Sequence, residues 1–313
     1  MNSQLASTVL MTRPVRFESN PETAESNRFQ GRTSASAEQQ QQAALTEFDG
    51  LVTALRDRGI EVLVFEDTPE PHTPDSIFPN NWVSCHADGR VVLYPMEATN
   101  RRLERRPDII ESLGDEHGFT VSEVVDLTGH EQDGQYLEGT GSMVLDRIGH
   151  VAYACLSSRT HLGPLGDFAQ RMDYEVISFD AVDRDGVPIY HTNVLMNVGE
   201  QLAVVCDEAI PRQEQRAAVL QRLEDSGREV ITLTYDQLDA FAGNMLELRK
   251  ADGSRLVVMS RQAYDSLDAE QRQVLQDNGD VLAEPIDTIE ASAGGSVRCM
   301  LAEVHLPKGT RED

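Results

Sequence analysis

One local grammar recurs along the chain, and it limits the fold more than any other feature. A helical stretch ends at a glycine and a short hydrophobic strand follows. Phe48, Leu51, Val52 and Leu55 repeat at helical spacing, Gly59 stops the helix, and "IEVLVFE" follows as a strand. Pro211 opens a second helix carrying Leu220 and Leu223, Gly227 ends it, and "EVITLT" follows. A third copy runs through Gln271 to Leu275, stops at Asn278-Gly279 and continues into "DVLAEPI". This rhythm predicts an α/β chain. The strand candidates "VVLYPM", "GSMVLD", "HVAYACL", "NVLMNVG", "QLAVVC" and "LVVMS" lie between the helices. Many are paired at hairpin distance across turns such as Ala87-Asp88-Gly89. A doubly wound parallel sheet does not produce so many hairpins. The pattern therefore predicts repeated small units, each of strands plus one helix.

With 313 residues and no long linker, the chain reads as a single domain over 1–313. Its net charge of -26 argues against nucleic acid or an anionic membrane surface as partner, because both would be repelled. Cys85, Cys155, Cys206 and Cys299 sit far apart, without a CxxC pair or a zinc-type Cys/His spacing. Four cysteines are too sparse for a disulfide scaffold, so a reducing compartment is expected. The first residues lack a basic start followed by a long apolar stretch. No window approaches the roughly 18 apolar residues of a membrane span. The expectation is a cytoplasmic protein.

Five segments pack polar and small residues beside hydrophobic runs: "PDSIFPNNWVS", "LEGTGSMVLD", "IYHTNVLMNVG", "FAGNMLEL" and "GGSVRC". Their distinctive residues, Asp75, Glu138, His191, Asn244 and Cys299, recur about every 50 to 60 positions, which suggests about five units. Taken alone, each segment also has a plain structural reading. Asp75 and Pro79-Asn80-Asn81 read as a turn, Glu138 as a solvated loop acid, and His191 as a structural histidine at the start of a strand. Cys155 and Cys206 sit in apolar strand patterns and read as core. Cys299 follows a flexible run of small residues and precedes a strand-like run, Met300 to Leu306. A thiol, an imidazole and a carboxylate brought together can perform covalent catalysis. Spacing alone does not bring them together.

The segments "MTRPVRFESNPETAESNRFQ", "PDSIFPNNWVSCHADGRVVLYPMEATNRRLERR", "LEGTGSMVLDR", "IYHTNVLMNVG" and "GGSVRCMLAEVHLP" together resemble the guanidino-group-modifying (pentein) superfamily. That superfamily includes arginine deiminases, dimethylarginine dimethylaminohydrolases and amidinotransferases. The resemblance is closest to bacterial proteins labelled amidinotransferase or citrulline-utilisation hydrolase, and runs from about residue 9 to 307. It implies a five-bladed α/β propeller of ββαβ-type units around a central polar site. It also implies roles: Cys299 as nucleophile, His191 as general acid/base, Glu138 as the acid contacting the substrate's nitrogen end, and Asp75 as a substrate-binding acid. It implies no metal and no organic cofactor, and a small amino-acid substrate as partner. A homodimer is left open.

The departures from the family pattern bear on the substrate. Asn80-Asn81 stand where dimethylarginine dimethylaminohydrolases carry an acidic pair, and His191-Thr192-Asn193 where arginine deiminases read His-x-Asp. Carboxylates grip a planar cationic guanidinium with charge-assisted hydrogen bonds. Asparagine both donates and accepts, which suits the C=O and NH2 of a neutral ureido group. Hydrolysis of citrulline is thus the expectation. Arginine deiminase or dihydrolase and dimethylarginine hydrolase activity are the alternatives among enzymes, and a catalytically silent amino-acid-binding protein is the alternative outside them. For the substrate's carboxylate the candidates are Arg101, Arg102, Arg105 and Arg159, each of which reads equally as a surface arginine of an acidic protein. Arg298, beside the nucleophile, reads as structural, on the opposite face if its segment is a strand.

Overall fold

Fifteen strands, among the described residues, sort into five three-stranded sheets. A computed structural model describes residues 3–24, 26–31 and 36–309. The ends of the expected 1–313 domain, with residues 25 and 32–35, lie outside the described residues. In chain order the strands are β1 (Thr8–Arg13), β2 (Glu61–Glu66), β3 (Val83–Cys85), β4 (Arg90–Leu93), β5 (Glu123–Asp126), β6 (Val144–Asp146), β7 (Val151–Cys155) and β8 (Glu175–Phe179). They continue as β9 (Met196–Val198), β10 (Leu202–Val205), β11 (Glu229–Thr232), β12 (Leu246–Arg249), β13 (Arg255–Ser260), β14 (Asp280–Glu284) and β15 (Ala302–Glu303).

Each sheet is one ββαβ unit. In four of the five an inner strand pairs antiparallel with a middle strand across a tight hairpin, and the middle strand then crosses by a helix to a parallel outer strand. Thus β3 pairs β4 antiparallel and β4 pairs β5 parallel, across the helix Pro107–Asp115. The same order holds for β6-β7-β8, β9-β10-β11 and β12-β13-β14. The fifth unit is assembled from distant parts of the chain. β15 pairs antiparallel with β1, and β1 reaches β2 through the helix Ala37–Asp57. The architecture is the five-bladed α/β propeller that the family resemblance implied, and its units number the five that the spacing suggested.

The middle strands lie between neighbours and carry the core. All five residues of β7 are buried, as expected of a strand covered on both faces. The helix Ala37–Asp57 is capped by Ser36, whose side chain accepts from Gln39 N, and buries Phe48, Leu51, Val52 and Leu55 against the first unit.

The starts of the inner strands differ from the sequence expectation. "GSMVLD" and "NVLMNVG" are not strands throughout: single helical turns, Gly139–Ser142 and Thr192–Leu195, come first. His191 therefore precedes a turn rather than starting a strand. Likewise the run after the small residues is not a strand from Met300, because Val297–Met300 form a turn and β15 covers only Ala302–Glu303. Short apolar runs do not distinguish the two states by periodicity. The turn advances about 1.5 Å per residue instead of about 3.3 Å, so it gathers side chains at one end of the inner strand. Pro79–Asn81 form the matching turn before β3. These turns pack on one another around the central axis.

Candidate active site

Glu138 and His191 each occupy the position just before such a turn, in neighbouring units. The turns bring His191 Nε2 to 2.9 Å from Glu138 Oε2. Gly141 makes this approach possible: a Cβ there would lie 2.7 Å from His191 Nδ1 and 2.4 Å from Asn81 Nδ2. Glu138 is wholly buried. Its Oε1 accepts from the Glu97 amide at 3.1 Å, and Arg101 and Arg159 each place a guanidinium nitrogen 3.5 Å from Oε2. Burial alone would push this carboxyl up. Arg159, the His191 hydrogen bond and Arg101 overcome that and hold it well below the usual carboxylate range.

Burial pushes His191 down to about 4, with Arg159 and Arg101 adding to the effect and Glu138 opposing it. The imidazole is therefore neutral near pH 7. An ionised carboxylate only accepts, so Nε2 carries the proton and Nδ1 is left as the basic nitrogen.

Cys299 lies on the turn before β15 and is 3% exposed. Two side-chain amides donate to its sulfur: Asn193 Nδ2 at 3.4 Å and Asn244 Nδ2 at 3.3 Å. Asn244 Oδ1 accepts from the Arg298 backbone amide at 3.0 Å, which fixes that amide with its NH2 toward the sulfur. These two amides hold the sulfur in place on the cleft wall. Arg298 turns away from the cleft as expected, but from a helical turn, giving hydrogen bonds to Leu301 O and Glu303 Oε2 at 2.8 Å each.

Cys299 and His191 face one cleft, bordered also by Asp75, Asn81, Arg101, Arg159 and Tyr190. It is closed down to about 10 Å³, room for about one water. Gly294, at φ +66, lets the backbone fold over it: a Cβ there would lie 2.5 Å from Gln30 N. Two polar atoms in this wall are buried without partners, Asp75 Oδ1 and Asn81 Nδ2. Asp75 Oδ2 accepts from Asn20 at 2.7 Å, and Asn81 Oδ1 accepts from Arg101 Nη1 at 2.9 Å.

Neither Arg101 nor Arg159 is a surface arginine; both are 2% exposed. Arg101 is bidentate on Glu104, at 2.9 and 3.0 Å, and 3.7 Å from Asp75. Burial pushes the Glu104 carboxyl up to about 8 against the pull of Arg101. Arg159 has no bidentate carboxylate partner, though its guanidinium lies 3.4 Å from Glu97 Oε2 and 3.5 Å from Glu138 Oε2. It donates to Ser26 Oγ at 2.7 Å and lies over the Tyr190 ring at 4.9 Å. Arg102 and Arg105 are not at the cleft; both pair with Glu131, held there by the backbone carbonyls of Met96 and Tyr94.

Three residues expected to touch substrate stand behind the wall. Glu138 turns its oxygens to His191 and the Glu97 amide, since burial demands partners for a charge. Asn80 donates to Thr140 Oγ1 at 3.3 Å, and Asn193 supports the sulfur. Sequence reasoning missed Asn20, Tyr190 and the contact of Asn244 with Cys299. Asn244 carried a signal, because it heads one of the five recurring segments. Among the described residues no group of three or more His, Cys, Asp or Glu is placed to hold a metal ion.

Comparison with known proteins identifies the family and the fold. A family model described as "N,N dimethylarginine dimethylhydrolase, eukaryotic" matches residues 13–306. Among solved structures the chain is similar to apo ArgZ, an arginine dihydrolase from the ornithine-ammonia cycle in cyanobacteria. The TM-score is 0.72 at 20% identity, covering 96% of this chain and 41% of that one. The chain thus spans about two fifths of that protein's length. The N-terminal domain of ArgZ, as a cysteine-to-serine mutant bound to substrate, matches with TM-score 0.72 at 19% identity over 95% of this chain and 97% of that one. The DDAH of Pseudomonas aeruginosa, a cysteine-to-serine mutant complexed with citrulline, matches with TM-score 0.61 at 14% identity over 96% and 99%. No curated protein matches the chain significantly.

Proposed function

This chain belongs to the N,N dimethylarginine dimethylhydrolase family of C–N bond hydrolases, and from that premise we propose that it hydrolyses citrulline to ornithine, carbon dioxide and ammonia through a covalent intermediate on Cys299. The observation that carries the choice of substrate is the direction of the Asn81 amide. Arg101 can only donate, so it holds Asn81 Oδ1 and leaves Nδ2 as a buried donor with no partner. A ureido oxygen accepts from that donor; a guanidinium offers no acceptor. Asp75 Oδ1 supplies the complementary acceptor for the ureido nitrogens.

In the proposed reaction, His191 Nδ1 takes the Cys299 proton as the sulfur bonds to the ureido carbon. The imidazolium, stabilised by Glu138, then gives that proton to the departing ammonia. A thiocarbamate remains on the enzyme. His191 next takes a proton from water, the hydroxide displaces the sulfur, His191 returns the proton to the Cys299 thiolate, and the released carbamate breaks down to ornithine and carbon dioxide. Arg159 is the cation proposed for the substrate carboxylate, because Arg101 is held by Glu104.

A second reading rests on Asp75, whose unpartnered carboxylate oxygen also suits a cationic guanidinium. Arginine would then be the substrate and lose ammonia in the first step; ArgZ, which shares the fold, is an arginine dihydrolase. A parallel assay of ammonia and ornithine with citrulline, arginine and dimethylarginine tests the proposal. Ornithine from citrulline supports it, and turnover of arginine without turnover of citrulline overturns it.

A further inference from the structure

At the opposite end of the central axis the same inner strands build a second cavity. β3 leads from Asn81 to His86, β6 from Glu138 to Arg147, and β15 from Cys299 to His305. These three distal side chains, with Tyr174, line a cleft of about 270 Å³, far roomier than the catalytic cleft. Nothing in the proposed reaction uses it.

Arg147 is the informative member. It is 5% exposed, yet among the described residues its guanidinium gives a single hydrogen bond, to the Cys85 carbonyl at 3.4 Å, and a loose ion pair to Glu303 at 3.6 Å. Arginine has five N–H donors, and a buried charge is costly unless paired and hydrogen-bonded. Glu303 is already claimed by Arg298 at 2.8 Å and by His305 at 3.0 Å. Tyr174 also lines the cavity and brings a further O–H donor to it. His86 engages Ser84 Oγ through Nε2 at 2.8 Å, which leaves Nδ1 for a ligand. The rim carboxylates do not cancel this donor set: Asp88 is held by Arg90 at 2.7 Å, and Asp173 sits on the exposed edge. A cation would be repelled by Arg147, so the donors describe an anion.

We propose that this distal cavity binds a small oxyanion, a carboxylate or phosphate group, held by Arg147 with the Tyr174 hydroxyl and His86 as further donors. The site is independent of the catalytic cleft. Titration calorimetry near pH 7.5 with succinate, and separately with inorganic phosphate, tests it on wild-type protein, Cys299→Ala and Arg147→Gln. Saturable binding of either anion, unchanged in Cys299→Ala and at least tenfold weaker in Arg147→Gln, supports the proposal, and the anion that saturates names the ligand chemistry. Absence of saturable binding by both anions overturns it, as does binding that survives in Arg147→Gln or disappears in Cys299→Ala. Should Arg147→Gln fail to fold, Tyr174→Phe and the His86 imidazole NMR signals decide. Affinity several-fold weaker in Tyr174→Phe, with an anion-dependent His86 shift in the wild type, supports the site; unchanged affinity and an unmoved signal overturn it.

Discussion

His191 Nε2 meets Glu138 Oε2 across 2.9 Å, although the two residues lie 53 positions apart in sequence and belong to neighbouring blades. That contact fixes which nitrogen of the imidazole carries the proton. It also ties the chemistry of the site to its stability, because both groups are buried and a buried charge needs a partner.

Replacing Glu138 by Gln keeps the shape but removes the charge. A carboxamide can donate to Nε2 and so favours the wrong tautomer. We expect kcat for ureido hydrolysis to fall about 10²–10⁴-fold. Arg101 and Arg159 would lose a shared counter-charge, at a cost of about 3–5 kcal/mol for breaking a buried ion network. Steady-state kinetics and denaturant unfolding measure the two effects separately.

The four thiols should differ sharply in reactivity. Burial pushes Cys85, Cys155 and Cys206 each up to about 12, whereas Cys299 has two amide donors at its sulfur. Brief treatment with iodoacetamide should label Cys299 first, with protection by substrate, and peptide mapping locates the label. Cys299→Ala should abolish turnover. Retained activity in that variant would rule out the covalent route.

Acidification should destabilise the fold through His191. Its imidazole titrates near 6.5 when unfolded and near 4 when folded. Between those values the unfolded chain binds more protons, so this contribution is complete above about pH 6.5 and is lost as the pH falls toward 4. Wild-type Tm should therefore drop more steeply than that of His191→Asn between pH 7 and 5. Parallel curves would contradict the assignment.

Asn81→Asp should shift the substrate preference. Arg101 would still hold one oxygen, while the other would present an acceptor where an N–H now stands. We expect kcat/KM for citrulline to fall at least tenfold and the ratio of arginine to citrulline turnover to rise. An unchanged ratio would remove the argument from the amide's direction.

Gly141→Ala should disarm the site more than it unfolds the protein. The new Cβ meets the movable ends of Asn81 and His191 rather than backbone. A large loss in kcat with a Tm change of only a few degrees is the expected pattern, read by activity and thermal unfolding in the same preparation.

The sequence determined the architecture because its signals are local. Helix, glycine stop and hydrophobic strand recur in three of the units, and Ala87-Asp88-Gly89 marks a hairpin that β3 and β4 do form. The spacing of Asp75, Glu138, His191, Asn244 and Cys299 marked the five units, and four of the five residues lie at or within hydrogen-bonding reach of the cleft wall while Glu138 holds His191 from behind. Only the tertiary structure decided which of them touch. It placed Glu138, Asn80 and Asn193 behind the wall, drew Arg101 and Arg159 inside it, and turned the start of each inner strand into a helical turn. Many of those outcomes depend on contacts between residues far apart in sequence, such as Asn20 with Asp75 or Arg159 with Ser26. The free energy of such contacts comes from burial and charge pairing, which no local pattern in the chain encodes.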